Sequence, residues 1–126
     1  MRKLLLADAD SINSDVLETA LEGEGYNVVR VQSAEEWNQI AHRKSFHLIL
    51  MDESFLGISK HLFSLSKESF KAFEHTPMIV MTEYPELVER GYKFPKKARF
   101  LLKPFHADEM FGQIRQIFFE EAVAVA

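Results

Sequence analysis

The chain contains no cysteine, which excludes disulfides and thiolate metal sites and fits a reducing cytoplasm. It has no excess of basic residues: 15 lysines and arginines stand against 19 aspartates and glutamates, for a formal net charge of −4. A nucleic-acid surface normally shows as clustered positive charge, so direct nucleic-acid binding is not expected. The densest basic stretch, Lys93 to Arg99, is short, lacks interleaved aromatics and reads as solvated loop charge. No run approaches the ~20 apolar residues of a membrane span. The basic pair Arg2-Lys3 is followed by only four apolar residues before Asp8, too few for a signal-peptide core. Membrane insertion and secretion are both disfavoured, and a cytoplasmic location is expected. There is no P-loop, no dinucleotide fingerprint and no Ser-His-Asp arrangement, and the histidines at 42, 47, 61, 75 and 106 show no metal-ligand spacing. An ordinary enzyme active site therefore has no candidate.

What is present is enough apolar material for one core: 47% hydrophobic residues in a chain of 126, the size of a single domain over 1–126. Residues 120–126, rich in alanine and valine, read as a biased tail expected to fray. Short apolar runs at Lys3–Ala7, Asn27–Val31, His47–Met51, Met78–Met81 and Arg99–Leu102 alternate with helix-period segments. That order predicts an α/β fold with a parallel sheet covered by helices on both faces, and the continuously apolar runs predict strands buried on both sides.

The spacing predicts a first helix from Ser11 or Asn13 to Gly23 or Gly25, with Ile12, Val16, Leu17, Ala20 and Leu21 on its apolar side. Ser33-Ala-Glu-Glu36 has the spacing of a capping box and opens a helix burying Trp37, Ile40 and Ala41. A third helix is predicted from Ser59 to about Glu74, using Leu62, Phe63, Leu65, Phe70 and Phe73, and ending at Thr76-Pro77. A fourth, between Glu83 and Pro95, keeps only about two turns because proline flanks it and glycine interrupts it. The last runs from about Ala107 past Phe118, with Met110, Phe111, Ile114 and Ile117 at helical spacing.

Ligand groups on an open parallel sheet collect at the carboxyl ends of the strands. Those ends carry Asp8-Ala9-Asp10, Asp52-Glu53-Ser54, Thr82-Glu83 and Lys103-Pro104. The set suits phosphoryl transfer to a carboxylate, a reaction governed by positioning and by neutralising charge on the transferring oxygens. Asp52 has the chemistry of the nucleophile, and Asp8 would help it hold a hard divalent cation such as magnesium. Lys103 would supply further positive charge and Thr82 a hydroxyl donor. Asp10 equally suits the N-terminus of the first helix, where a carboxylate meets the dipole.

Leu4-Leu-Leu-Ala-Asp8, Leu48-Ile-Leu-Met-Asp52, Ile79-Val-Met-Thr82 and Phe100-Leu-Leu-Lys103-Pro104-Phe105, taken in order, resemble the four signature strand ends of response-regulator receiver domains of the chemotaxis-regulator type. The spacing agrees, with 30 positions from Asp52 to Thr82 and 21 from Thr82 to Lys103. The resemblance implies a flavodoxin-like (βα)5 fold with strand order 2-1-3-4-5. It implies phosphoacceptance at Asp52 from a sensor histidine kinase or phosphotransfer protein, with no enzymatic activity beyond the domain's own phosphorylation and dephosphorylation. Magnesium would be held by Asp8, Asp52, the Ser54 backbone carbonyl and Asp10. Thr82, Lys103 and Phe100 would bind phosphate and switch the surface of the fourth helix, fifth strand and fifth helix, which would meet a downstream protein or a second copy of the chain.

The sequence also departs from the pattern. The second acid of the usual adjacent pair is Ala9, which should weaken magnesium binding. Glu83 stands where a small residue is usual, as Leu56 does where proline is usual, and a carboxylate at 83 could repel a phosphodonor or, as the lesser alternative, replace the missing metal ligand. Glu53 is expected to point away from the site if its strand keeps alternating. The alternative to a phosphorylatable receiver is a phosphorylation-independent pseudo-receiver that acts as a protein interaction module. A flavodoxin-like cofactor binder is disfavoured because Asp8-Ala9-Asp10-Ser11 is acidic where a phosphate would need donors.

Overall fold

The computed structural model describes residues 1–41, 45–55, 71, 73–86 and 98–125. Its elements are β1 (Lys3–Ala7), α1 (Ser11–Gly23), β2 (Asn27–Val31), α2 (Ala34–Ala41), β3 (Leu48–Asp52), a 3-10 turn (Glu53–Phe55), β4 (Met78–Thr82), β5 (Ala98–Leu102) and a last helix (Ala107–Val125). The strands form one sheet in the order β2-β1-β3-β4-β5, and every pairing is parallel. Strand bounds differ from the predicted runs by a residue at most at each end. The body of the third predicted helix and most of the fourth, with Leu62, Phe63, Leu65, Phe70, Leu56 and two of the histidines (42 and 61), lie outside the described residues.

Although β1, β3 and β4 read as unbroken apolar runs, alternate side chains serve different layers, as the pleat requires. Leu5, Ala7, Ile49, Met51, Met78 and Val80 join Val31, Trp37, Phe46, Phe55 and Phe73 on one face. Leu4, Leu6, Leu48, Leu50, Ile79 and Met81 meet Leu17 and Leu21 of α1 and Met110, Phe111, Ile114, Ile117 and Phe118 of the last helix on the other. On the first face Trp37 is fully buried, its ring 5.2 Å from Phe73 edge-on and 6.4 Å from Phe55.

Two helix starts follow the expected capping chemistry. Asp10 is the N-cap of α1, its Oδ1 accepting from the amides of Ile12 and Asn13 at 3.0 and 3.2 Å. Ser33 Oγ accepts from the Glu36 amide at 3.1 Å while Glu36 reaches back to the Gln32 amide at 3.3 Å. The apolar side predicted for α1 needs correction, because Ile12 and Val16 are exposed. Its buried stripe is Ser14, Leu17 and Leu21, and at about 100° per residue Ile12 and Val16 fall on the opposite side.

The last helix continues to Val125, through most of the segment expected to fray; alanine favours helix, and Glu120 within that stretch pairs with Arg99 of β5. Arg99 is thus a strand residue rather than loop charge. None of the described helices is long and apolar enough to cross a membrane.

Trp37→Ala is expected to cost roughly 3–5 kcal/mol, because it empties the centre of one layer. Phe119→Ala on the exposed side of the last helix should change stability by less than ~0.5 kcal/mol. Urea unfolding of the two variants checks both.

Candidate functional site

The parallel register brings the strand ends together. Ala7 pairs with Met51 and Asp52 with Met81, so Asp8 and Asp52 leave neighbouring strands side by side at the carboxyl edge. Thr82 pairs with Leu102, the residue before Lys103. The backbone stays tied just past the strands, with the Asp8 amide donating to the Val31 carbonyl at 3.1 Å and the Lys103 amide to the Thr82 carbonyl at 2.7 Å. Asp8, Asp52 and Thr82 are all buried, together with Ser14 the only buried polar residues among those described.

Asp52 is met by Lys103, whose Nζ donates to Oδ1 at 2.7 Å. Burial alone would pull the Lys103 ammonium down, but its hydrogen bond to Asp52 and the negative charges of Asp52, Glu53 and Glu83 hold its pKa above the ordinary value. Asp8 is fixed from the other side. Its Oδ1 accepts from the Asp10 amide at 2.9 Å and its Oδ2 from Asn13 Nδ2 at 2.6 Å. Burial raises its pKa above the usual aspartate value, an effect outweighing those two hydrogen bonds, and the nearby charge of Asp52 adds to the rise. Two buried carboxylates therefore share the positive charge of Lys103.

The other predicted site residues are distributed around this pair. Asp10 caps α1, Ala9 is exposed between the two acids, and Ser54 sits in the 3-10 turn directly after Asp52. Phe100 is half-buried against the Trp37 side of the core, its carbonyl accepting from Gln113 Nε2 at 3.5 Å. Glu83 is exposed and, with Lys103, Asn13, Leu17, Pro104 and Phe105, borders an open groove of about 430 Å³ between α1 and the start of the last helix. No group of three or more acidic or histidine side chains able to hold a metal ion occurs among the described residues.

Glu53 requires a correction. Its carboxylate does not point away: it accepts a short hydrogen bond from the Thr82 hydroxyl and lies 3.3 Å and 3.4 Å from the Glu83 amide through its two oxygens. The reason is local. β3 ends at Asp52, and residues 53–55 turn into a 3-10 helix, so strand alternation no longer governs position 53. Sequence reasoning also missed Asn13, whose place in the first turn of α1 is the signal that it can reach back to Asp8.

A carboxyl with a raised folded-state pKa carries a penalty while ionised, and the penalty disappears as pH falls through the raised value. Asp8→Asn should therefore resist urea better than the parent chain at pH 7, with the difference shrinking in the acid range; urea midpoints measured against pH check this. Asp10→Ala should lose about 1 kcal/mol through the missing cap while Asp10→Asn keeps most of it, as read by the same unfolding experiment.

A family model of the response regulator receiver domain matches residues 4–115. The chain is 29% identical over 118 residues to the cell cycle transcriptional regulator CtrA of Caulobacter vibrioides, an alignment covering 93% of this chain and 50% of that protein. The chain thus spans half of CtrA's length. Among solved structures, a CheY-like response regulator receiver domain protein from Methanospirillum hungatei superimposes with a TM-score of 0.79 at 22% identity, covering 98% of each chain. The receiver domain of the sensor histidine kinase PA1611 from Pseudomonas aeruginosa, solved with magnesium in its active-site cleft, gives 0.70 at 22% identity, over 91% of this chain and 95% of that one. Both likenesses are to the fold, which is the five-stranded sheet described above. The family match runs through every strand and into the last helix, and the chain belongs to the response-regulator receiver family of two-component signalling.

Proposed function

We propose that Asp52 accepts a phosphoryl group from a sensor histidine kinase or a phosphotransfer protein in the cytoplasm. The observation that carries this reading is the 2.7 Å hydrogen bond from Lys103 Nζ to Asp52 Oδ1, made at a strand end beside a second buried carboxylate. In the reaction the Asp52 carboxylate forms an O–P bond as the donor's P–N bond breaks, and the released imidazole takes up a proton. Lys103 keeps a fixed positive charge where negative charge gathers on the transferring oxygens. Asp8 and Asn13 hold one wall of the site in place before the donor arrives.

The residues fit a magnesium ion held by few protein ligands. Asp8, Asp52 and the Ser54 carbonyl are hard oxygen donors, and magnesium commonly keeps several waters. The acidic excess at this edge, with Asp8, Asp52, Glu53 and Glu83 around Lys103, favours a divalent cation. With Ala9 in place of an acid, and Asp10 capping α1, the site should be weak. When bound, the ion would neutralise part of the charge on the phosphoryl oxygens. Thr82, Lys103 and Phe100 would then relay occupancy to the surface formed by the fourth helical segment, β5 and the last helix, for a downstream protein or a second copy of the chain. A switch of this kind needs only a few kcal/mol of preference between two states.

The pseudo-receiver reading draws on Ala9 and on the engagement of Thr82 by Glu53. It requires that Asp52→Ala leave partner binding and cellular phenotype unchanged.

Incubation with acetyl phosphate and magnesium, read on phosphate-affinity gels, should label the parent chain and leave Asp52→Ala unlabelled. Lys103→Ala should slow labelling by roughly a hundredfold, and Asp8→Asn should raise the magnesium requirement by about tenfold. Absence of labelling at any magnesium concentration overturns the reading.

A further inference from the structure

The Thr82 hydroxyl is fully buried, so its proton needs an acceptor. Glu53 provides one through Oε2. The hydroxyl's own lone pair accepts from the Tyr84 amide at 3.0 Å, fixing the direction in which the O–H points. The neighbouring Glu83 amide is turned toward the same carboxylate, 3.4 Å from Oε1 and 3.3 Å from Oε2. A side-chain hydroxyl and a backbone amide thus converge on one anionic group at the edge of the site. Such a pair of donors is what an incoming oxyanion would use, and each donor has a single hydrogen. A donor held by Glu53 is not available to another anion at the same time.

The placement of Glu53 follows from chain geometry rather than from a need of the core. It is only partly buried, and it follows Asp52 at the point where the strand gives way to the turn. The field of its carboxylate reaches Lys103, whose ammonium also faces Asp52 and Glu83. It therefore stands within the electrostatic reach of the groups that would handle a phosphoryl group, as a built-in anion of the same charge sign.

We propose that Glu53 is an internal occupant of the oxyanion site formed by the Thr82 hydroxyl and the Glu83 amide, and that a phosphoryl oxygen on Asp52 must displace it. Glu53 is then a specificity-determining residue for phosphoacceptance: it competes with the phosphoryl oxygen for both donors and holds Thr82 in a bonded position without phosphate. This rests on Asp52 being the phosphoacceptor. Glu83, the same residue type as Glu53 but with its side chain outside these hydrogen bonds, serves as the internal control.

The test uses beryllofluoride with magnesium as the probe, followed by fluorine NMR, together with the Glu83 amide resonance recorded before any probe is added. Glu53→Ala should move that amide resonance and tighten beryllofluoride uptake by about tenfold, the scale of one charge-assisted hydrogen bond removed from competition. Glu53→Gln, which keeps an acceptor oxygen but loses the charge, should fall between Glu53→Ala and the parent. Glu83→Gln should produce a smaller gain than Glu53→Ala. The proposal is overturned if the amide does not move, if uptake by Glu53→Ala is unchanged or weaker, or if Glu83→Gln gains as much. In each of those cases the parent still takes up the probe, so Asp52 phosphoacceptance stands. If neither the parent nor Glu53→Ala takes up beryllofluoride at any magnesium concentration, phosphoacceptance itself fails and the Glu53 proposal fails with it.

Discussion

The constraint on which everything else depends is that β3 is covered on both faces. All five of its residues are buried, and the same is true of β4, so neither strand can shift along its neighbour by one residue without turning a whole set of side chains into the wrong layer. That fixed register makes the positions of Asp8, Asp52 and Thr82 at the sheet edge reproducible. Polar side chains are tolerated there because the strands end there. Hydrophobic burial thereby holds the acidic groups close to one another, and part of what it contributes is offset by the cost of gathering like charges in a poorly solvated place.

Lys103 moderates that cost. Its ammonium remains protonated despite partial burial because Asp52 is in direct contact and two further carboxylates are close. The pair joins β3 to the end of β5 across β4, which lies between them in the sheet. An ion pair in this position contributes little net stability compared with an apolar substitute; its effect is to hold the Asp52 carboxylate in one orientation at the acidic carboxyl edge of the sheet.

Most of the fold was legible in the sequence. Unbroken apolar runs at Leu48–Met51 and Met78–Met81 can belong to few architectures other than a doubly covered parallel sheet, and the capping residues Asp10 and Ser33 marked two helix starts. Asp52, Asp8, Thr82 and Lys103 were legible as a group because each directly follows or ends such a run. What was not legible depended on the path of the chain after the strands. The expectation for Glu53 assumed continued alternation, whereas the turn at 53–55 brought it back to the rim. Ile12 and Val16 were assigned to the apolar side of α1 by their spacing of four with Ala20, beside Leu17 and Leu21; a pattern of apolar residues passes over Ser14, which lies on the buried stripe instead.

The 3-10 turn after Asp52 has one more consequence. Position 53 lies outside both hydrophobic layers, yet its side chain reaches the donors beside the acidic pair. The charge and hydrogen-bonding character of the pocket are therefore set at this position by the course of a three-residue turn rather than by the packing of the layers, so the scaffold and the chemistry of its rim are specified by different parts of the chain.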